Sequence, residues 1–319
     1  MRVLLLGEYS RLHNSLKEAL QVLGHEVTLA GDGDLFKGYP VDIDISPRFF
    51  EANLFTRKFR VLIHKISGVD LGIWESYFRL KKHLKDFKDY DVVQFINSYA
   101  LKIPLSKQRN LLQHLKKHNR LLWYCACGTD TPVVEANLKD KPGHHILTPL
   151  HLGLHSKAEY TYELQYIHPK YKAYFEVFEQ YLDGITASDW DYAPVYRHHP
   201  KFFGLIPNPI NIDKISYRFE APTSVVNIFL GINTKSAHKK GHYLIRSAMK
   251  ALHEKYPNRT HLIFAQNLAY ETYIKKYQSA HVFMDMAYAN DQGYNALEAM
   301  AAGKVVFTGA GKDFLSHYQ

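Results

Sequence analysis

A chain of 319 residues has room for two α/β domains of ordinary size, and its 46% hydrophobic content is enough to fill their cores. A formal net charge of +9 suits phosphorylated ligands, anionic lipid or nucleic acid. The sequence has no RNP-like aromatic pattern, zinc-ligand spacing or recognition-helix signature, so nucleic acid is not an expected partner. No run of about 18 uncharged apolar residues is present to span a bilayer.

The opening MRVLLLGEYS has too short an apolar run for a signal peptide and reads as a first buried strand, Arg2–Gly7. Leu12, Leu16, Ala19, Leu20 and Leu23 have helical spacing, Gly24 stops that helix, and Glu26–Ala30 follows as a second strand. Strand, helix, strand at this spacing is a βαβ unit, hence a parallel sheet with a right-handed crossover. Val92–Ile96 and Leu121–Cys125 read as further strands around an amphipathic helix at Leu105–His118. Cys125 and Cys127 lie too close along one strand face to close a disulfide, and two thiols make no zinc site; both read as reduced core residues of a cytosolic protein. Residues 129–170, rich in Pro, Gly and His, read as long loops, before a helix near Tyr171–Leu182 and a strand at Gly184–Ala187.

Pro207-Asn208-Pro209 is a strong breaker, and the expected division follows it, with one domain over 1–209 and a second over 210–319. The second series reads as strand Val225–Leu230, helix Gly241–His253, strand His261–Ala265, helix Tyr270–Ser279, strand His281–Met284, helix Asn295–Ala301 and strand Val305–Thr308. The predicted class is therefore α/β with two doubly wound, Rossmann-like domains. Few residues follow the last strand, so the C-terminal domain is expected to be incomplete.

Two stretches carry candidate chemistry. Asp291-Gln-Gly-Tyr-Asn-Ala-Leu-Glu follows a strand and opens a helix near Gly293, where free N–H groups at Gly293, Tyr294 and Asn295 would cradle a diphosphate. Glu298, one turn deeper, would accept bonds from ribose hydroxyls; the same pattern also suits an ordinary amphipathic helix with a surface Glu. Gly231-Ile-Asn-Thr-Lys-Ser-Ala-His-Lys-Lys-Gly241 also joins a strand to a helix. In it Lys235 and Lys240 would face phosphate oxygens and Gly241 would allow close approach; the alternative is a solvated basic loop, and the P-loop spacing is not met.

In this order the two stretches resemble the retaining glycosyltransferases of GT-B fold, in particular the large bacterial family that includes mannosyl- and glucosyltransferases of surface-glycan synthesis. Gly231, Lys235 and Lys240-Gly241 match its glycine, basic residue and Lys-Gly; Gly293 and Glu298-Ala-Met-Ala-Ala-Gly303 match its second motif. Asn208-Pro-Ile-Asn-Ile-Asp213, the Gly7 loop and Gly24-His-Glu-Val27 echo its junction and opening. The resemblance implies two domains facing a cleft, a nucleotide diphosphate-sugar donor, no cofactor and no metal, and a glycan or lipid-linked acceptor. Asn290 stands where the family has a Glu, with Asp291 beside it, so one of these is expected to touch the transferred sugar. Lys235 replaces an Arg, and Cys127-Gly128 replaces a His-Gly, with Thr129 and Asp130 expected to face the cleft. A sugar-nucleotide epimerase of the same fold, or a non-catalytic nucleotide-binding or scaffold member, are the alternatives.

Asp42-Ile-Asp44 and Asp189-Trp-Asp191 match D-x-D without the fold context that makes it a metal motif, and His151-x-x-x-His155 lacks the Glu of HExxH. Residues 53–88 hold nine Lys/Arg among Leu54, Phe55, Phe59, Leu62, Ile63 and Ile66. Two readings fit: a peripheral contact with an anionic inner-membrane leaflet, or helices packed on the sheet with a wet basic face.

Overall fold

The computed structural model of the protein describes residues 1–34, 37–218, 221–222, 224–268, 270–290 and 292–318. The chain begins β1 (Arg2–Leu6), α1 (Leu12–Val22), β2 (Glu26–Gly31), β3 (Ile43–Asp44), α2 (Arg48–Glu51), α3 (Leu54–Ser67), α4 (Leu71–His83), β4 (Val92–Phe95), α5 (Leu105–His118) and β5 (Leu121–Ala126). It continues through α6 (Thr131–Lys139), α7 (Thr148–His151), α8 (Thr161–Leu164), α9 (Pro169–Tyr181), β6 (Gly184–Ala187), α10 (Ala193–Tyr196) and β7 (Phe202–Leu205). The last third is β8 (Val226–Ile232), α11 (Ala237–Lys240), α12 (His242–Lys255), β9 (Thr260–Gln266), α13 (Tyr270–Gln278), β10 (Val282–Met284), α14 (Tyr294–Ala301), β11 (Val305–Phe307) and α15 (Lys312–Tyr318).

Among the described residues the strands form two parallel sheets, ordered β3-β2-β1-β4-β5-β6-β7 and β11-β10-β8-β9. Two compact units hold them. The first comprises Met1–Val134, Glu163–Ser188 and Tyr192–Pro209; the second comprises Glu135–Tyr162, Asp189–Asp191 and Ile210–Gln319. Residues 135–162 and 189–191, which the expected division counts with the first domain, thus cluster with the second.

Strand alternation explains why each sheet is covered on both faces. Along β1, Val3 and Leu5 pack with Val27, Leu29 and the Leu16 and Leu20 of α1. Leu4 and Leu6 point the other way, into a larger core with Phe95, Tyr124, the Leu111 and Leu115 of α5 and the Phe178 of α9. In the second unit Ile228, Leu230 and Ile232 meet Ile245 and Met249 of α12. Phe229 and Phe283 meet Tyr277 of α13 and Ala299 of α14 on the opposite face. Both units are therefore doubly wound α/β layers, as the hydrophobic pattern predicts.

Residues 129–170 correct the loop expectation, since α6, α7 and α8 lie within them. Pro132 and Pro149 fall in the first turns of α6 and α7, where a missing N–H breaks no helical bond. Ser156 and Glu159 form a capping box that opens the turn before α8.

Candidate functional site

In a doubly wound sheet, ligand groups gather beyond the carboxyl ends of the strands, where the strand order reverses. In the second unit that point lies between β8 and β10. The loop after β8 ends in Lys240-Gly241, and it is stitched to the loop after β10. Lys240 Nζ donates to Asp285 Oδ1 at 2.9 Å, and Ala287 N donates to Lys240 O at 2.9 Å. His242, at the start of α12, has Nε2 3.0 Å from Asp285 O. Burial, then the neighbouring Lys240 charge, lowers its pKa to about 4, so the ring is neutral, with Nε2–H donating and a buried Nδ1 that has no partner among the described residues. Thr308 Oγ1, beyond β11, donates to Asp285 Oδ2 at 3.3 Å. Asp285 is 4% exposed, so one buried carboxylate just past β10 ties Lys240, at the end of α11, to Thr308, just past β11.

Gly241 has a reason of its own to be glycine. Its φ is +70°, and an added Cβ would stand 2.8 Å from the Tyr288 ring and 3.1 Å from Ala287 Cβ. What approaches Gly241 closely is therefore the chain's own β10 loop. Gly231 lies inside β8, paired with Ala265 and against Tyr273, and not in the loop beyond it. Lys235 is exposed in the loop. Gly293 is the N-cap of α14, and among the described residues no side chain caps that helix. Tyr294 is buried, Asn295 is exposed and Glu298 is half-buried on the same helix.

Asn290 is held within the unit. Its backbone and side-chain N–H groups donate to Asp191 Oδ1 at 2.8 and 3.2 Å, and its Oδ1 accepts from Gly311 N at 2.5 Å. Gln292 N donates to Asp189 Oδ2 at 3.1 Å. The second D-x-D thus anchors the loop leading to α14, a role that local sequence context does not reveal. Asp291 lies outside the described residues.

In the first unit the order reverses between β1 and β4. Gly7, with φ +85°, lets the loop after β1 pack on the loop after β4, since a Cβ there would meet Ala100 Cβ at 2.7 Å and Ile96 Cγ2 at 2.8 Å. Thr129 and Gly128 follow β5, and Asn97 Nδ2 donates to Cys127 O and Thr129 O at 3.1 Å each. Asp130 does not face open surface as expected: it is 1% exposed. Its oxygens accept from Ser98 N (2.9 Å), Ser98 Oγ (2.7 Å), Tyr124 OH (2.9 Å) and Thr131 N (2.8 Å). Burial raises its pKa against those four donors. That is an anchoring carboxylate, locking the loop after β4 to the start of α6. Cys125 is buried, with its thiol pushed up to about 12, while Cys127 is only half-buried just past β5, so the core reading holds for one thiol of the two.

The same edge carries polar groups that the sequence reading passed over. Glu8 is fully buried; its Oε2 accepts from Asn14 N (2.9 Å) and Nδ2 (2.5 Å), while Oε1 is buried with no partner among the described residues. His13 has Nδ1 2.7 Å from Gly7 O and Nε2 3.1 Å from Gln94 Nε2, which fixes a neutral ring donating through Nδ1. Lys102 pairs with Asp32 at 2.6 Å and Lys37 with Asp34 at 2.7 Å. The available signal was acidic residues placed directly after β1 and β2, at Glu8, Asp32 and Asp34. Among the described residues no group of three or more His, Cys, Asp or Glu is placed to hold a metal ion.

Fold and edges together define a two-unit, doubly wound α/β protein with polar groups gathered at each sheet's carboxyl end. No protein-family profile matches the sequence, and no curated protein matches it significantly. Among solved structures the chain is similar to a Listeria monocytogenes protein assigned as a UDP-N-acetylglucosamine 2-epimerase (TM-score 0.45, 9% identity, covering 89% of this chain and 73% of that one). It is also similar to the UDP-GlcNAc 2-epimerase of Neisseria meningitidis bound to UDP-GlcNAc (TM-score 0.43, 14% identity, covering 100% and 91%). A third is the glycotransferase of kitacinnamycin (TM-score 0.45, 12% identity, covering 98% and 88%).

Proposed function

We propose that the protein is a glycosyltransferase that binds a nucleotide diphosphate-sugar at the carboxyl edge of the second sheet. It moves the sugar to a hydroxyl of a glycan or lipid-linked acceptor with retention of configuration. The observation that carries this reading is the stitching of Lys240-Gly241 to the β10 loop through buried Asp285, at the point where strand order reverses.

The chemistry asks for positive charge where a diphosphate leaves an oxocarbenium-like centre. Lys240 is held at that edge by Asp285, so its ammonium is placed before the ligand arrives. Lys235, on the exposed loop, adds a second cation, and the N-terminus of α14 at Gly293 adds a partial positive charge. Glu298, one turn into α14, is assigned to the ribose hydroxyls. Asn290 and Asp130 are assigned positioning roles because their side chains are already engaged, and contact with the transferred sugar passes to Asp291. The acceptor is assigned to the edge of the first unit at Gly7, Gly128 and Thr129.

The test is release of nucleoside diphosphate from a panel of donors, with and without acceptors, alongside direct detection of donor epimers. Release that requires an acceptor supports the reading. Epimer formation without acceptor would assign the protein to the epimerases, and binding without turnover would make it a non-catalytic member. Loss of transfer in EDTA would overturn a metal-free mechanism.

A further inference from the structure

Helix α3 is well formed at both ends. Asn53 Oδ1 accepts from Phe55 N and Thr56 N at 3.0 Å each, and Gly68, with φ +70°, closes the last turn. Yet none of its residues is buried. Phe55, Phe59, Leu62 and Ile66 recur at i, i+4, i+7 and i+11, a stripe about 60° wide at ~100° per residue. Those four side chains are 79%, 46%, 53% and 75% exposed. The half-buried side of the helix is Thr56, Arg60 and Ile63, and Arg60 is fixed there by Asp70 (2.6 and 2.8 Å) and by Glu51. The helix therefore grips the protein through a guanidinium and turns its apolar stripe to the outside. Phe49, Leu54, Val69 and Phe78, nearby in sequence, are exposed as well.

The surrounding charge is net positive. Glu51 pairs with Arg57 and Arg60, Asp70 with Arg60 and Glu75 with Arg79, and Asp86 lies 3.4 Å from the His83 ring. Among the described residues Lys58, Lys65, Lys81, Lys82 and Lys85 have no carboxylate within ion-pair distance. A second copy of this chain would bring lysine against lysine, whereas an anionic leaflet offers both an apolar layer and the opposite charge. We infer that α3 lies in the interface of an anionic membrane. Phe55, Phe59, Leu62 and Ile66 enter the acyl boundary, and Lys58 and Lys65, on one flank of the stripe, meet the headgroups.

This inference is independent of the nucleotide reading, and so is its test. The full chain is sedimented with vesicles of phosphatidylcholine alone and with vesicles to which phosphatidylglycerol is added. The parent is expected to partition onto the anionic vesicles only, less so at high salt. Phe55→Ser with Phe59→Ser, and separately Lys58→Glu with Lys65→Glu, should each weaken partition about tenfold or more. Since α3 buries no side chain, both variants should melt with the parent. Failure of the parent to bind, or equal binding by either variant, overturns the inference. A dimer of the parent that the Phe55/Phe59 variant abolishes, without vesicle binding, would give the stripe to a second copy instead.

Discussion

Replacing Lys240 by Met keeps the aliphatic stem and removes only the ammonium that sits 2.9 Å from Asp285 Oδ1. Asp285 then stays 4% exposed, with Thr308 Oγ1 donating at 3.3 Å to its other oxygen. Breaking a fully buried ion pair costs about 3–5 kcal/mol because the remaining charge is stranded. Lys240 is 27% exposed and the Thr308 bond survives, so a loss of about 2–3 kcal/mol is expected. For a unit of this size that corresponds to a fall in Tm of roughly 5–15 °C. Adding Asp285→Asn removes the stranded charge, so the double variant should melt higher than the sum of the two single losses predicts, by about 1–2 kcal/mol. Thermal melts of the four proteins give the coupling, and calorimetric titration with a nucleoside diphosphate gives the affinity. The Lys240→Met/Asp285→Asn protein, folded but without the ammonium, should bind the diphosphate about tenfold or more weakly. Additive melts would refute the pairing argument, and parental affinity in the double variant would place the diphosphate elsewhere.

Glu298→Gln should weaken nucleoside diphosphate binding by calorimetry while leaving the Tm within about 2 °C of the parent; unchanged affinity would remove the ribose role. Asp130→Asn sets an amide against four donors and should cost about 2–4 kcal/mol in denaturant unfolding, so a stable but inactive variant would restore a catalytic role. Burial raises the Glu8 pKa above 4.5 despite two bonds from Asn14, so the folded protein holds a proton that the unfolded chain releases. Its penalty therefore sets in as pH rises past 4.5, and the Tm of Glu8→Gln should gain on the parent as pH rises above that value; parallel curves would exclude the buried acid. His13 and His242 are lowered by burial from 6.5 to about 4, so the stability they contribute is present above pH 6.5 and lost as pH falls toward 4. That loss is on the order of 3 kcal/mol for each ring once pH is below both values, and His242→Gln should flatten the acid limb of the stability curve.

What was legible beforehand follows from what each signal measures. The apolar run of β1 and the stripe of α1 are local patterns, and both reappear as buried faces at Val3, Leu5, Leu16 and Leu20. The order of strands and helices follows from the same periodicities, and so does the doubly wound class. The Pro, Gly and His content of residues 129–170 suggests loops, yet Pro132 and Pro149 sit where helices tolerate proline. The positions of Asn290 and Asp191 are 99 residues apart and Lys240 and Asp285 are 45 apart, so no window along the chain shows them as partners. Gly7 and Gly241 stand out in the sequence, but the close approach they permit is to Ala100 and Tyr288, which only the packed structure shows. Asp130 stands out by its place after β5; its four donors come from Ser98, Tyr124 and Thr131, two of them reached only through the sheet.

The interleaved connectivity of the two units limits how the second can be inherited. A gene segment encoding only 210–319 would carry the sheet β11-β10-β8-β9 but leave behind Asp189 and Asp191, which brace the approach to α14. It would also leave Glu135–Tyr162, which clusters with the same unit. Such a segment is not a portable cassette: a recombination breakpoint at Pro209 would deliver the strands and helices yet sever the bonds that set the Asn290–Gln292 loop. A fusion built on 210–319 should therefore restore that loop only when residues 189–191 are grafted along with it.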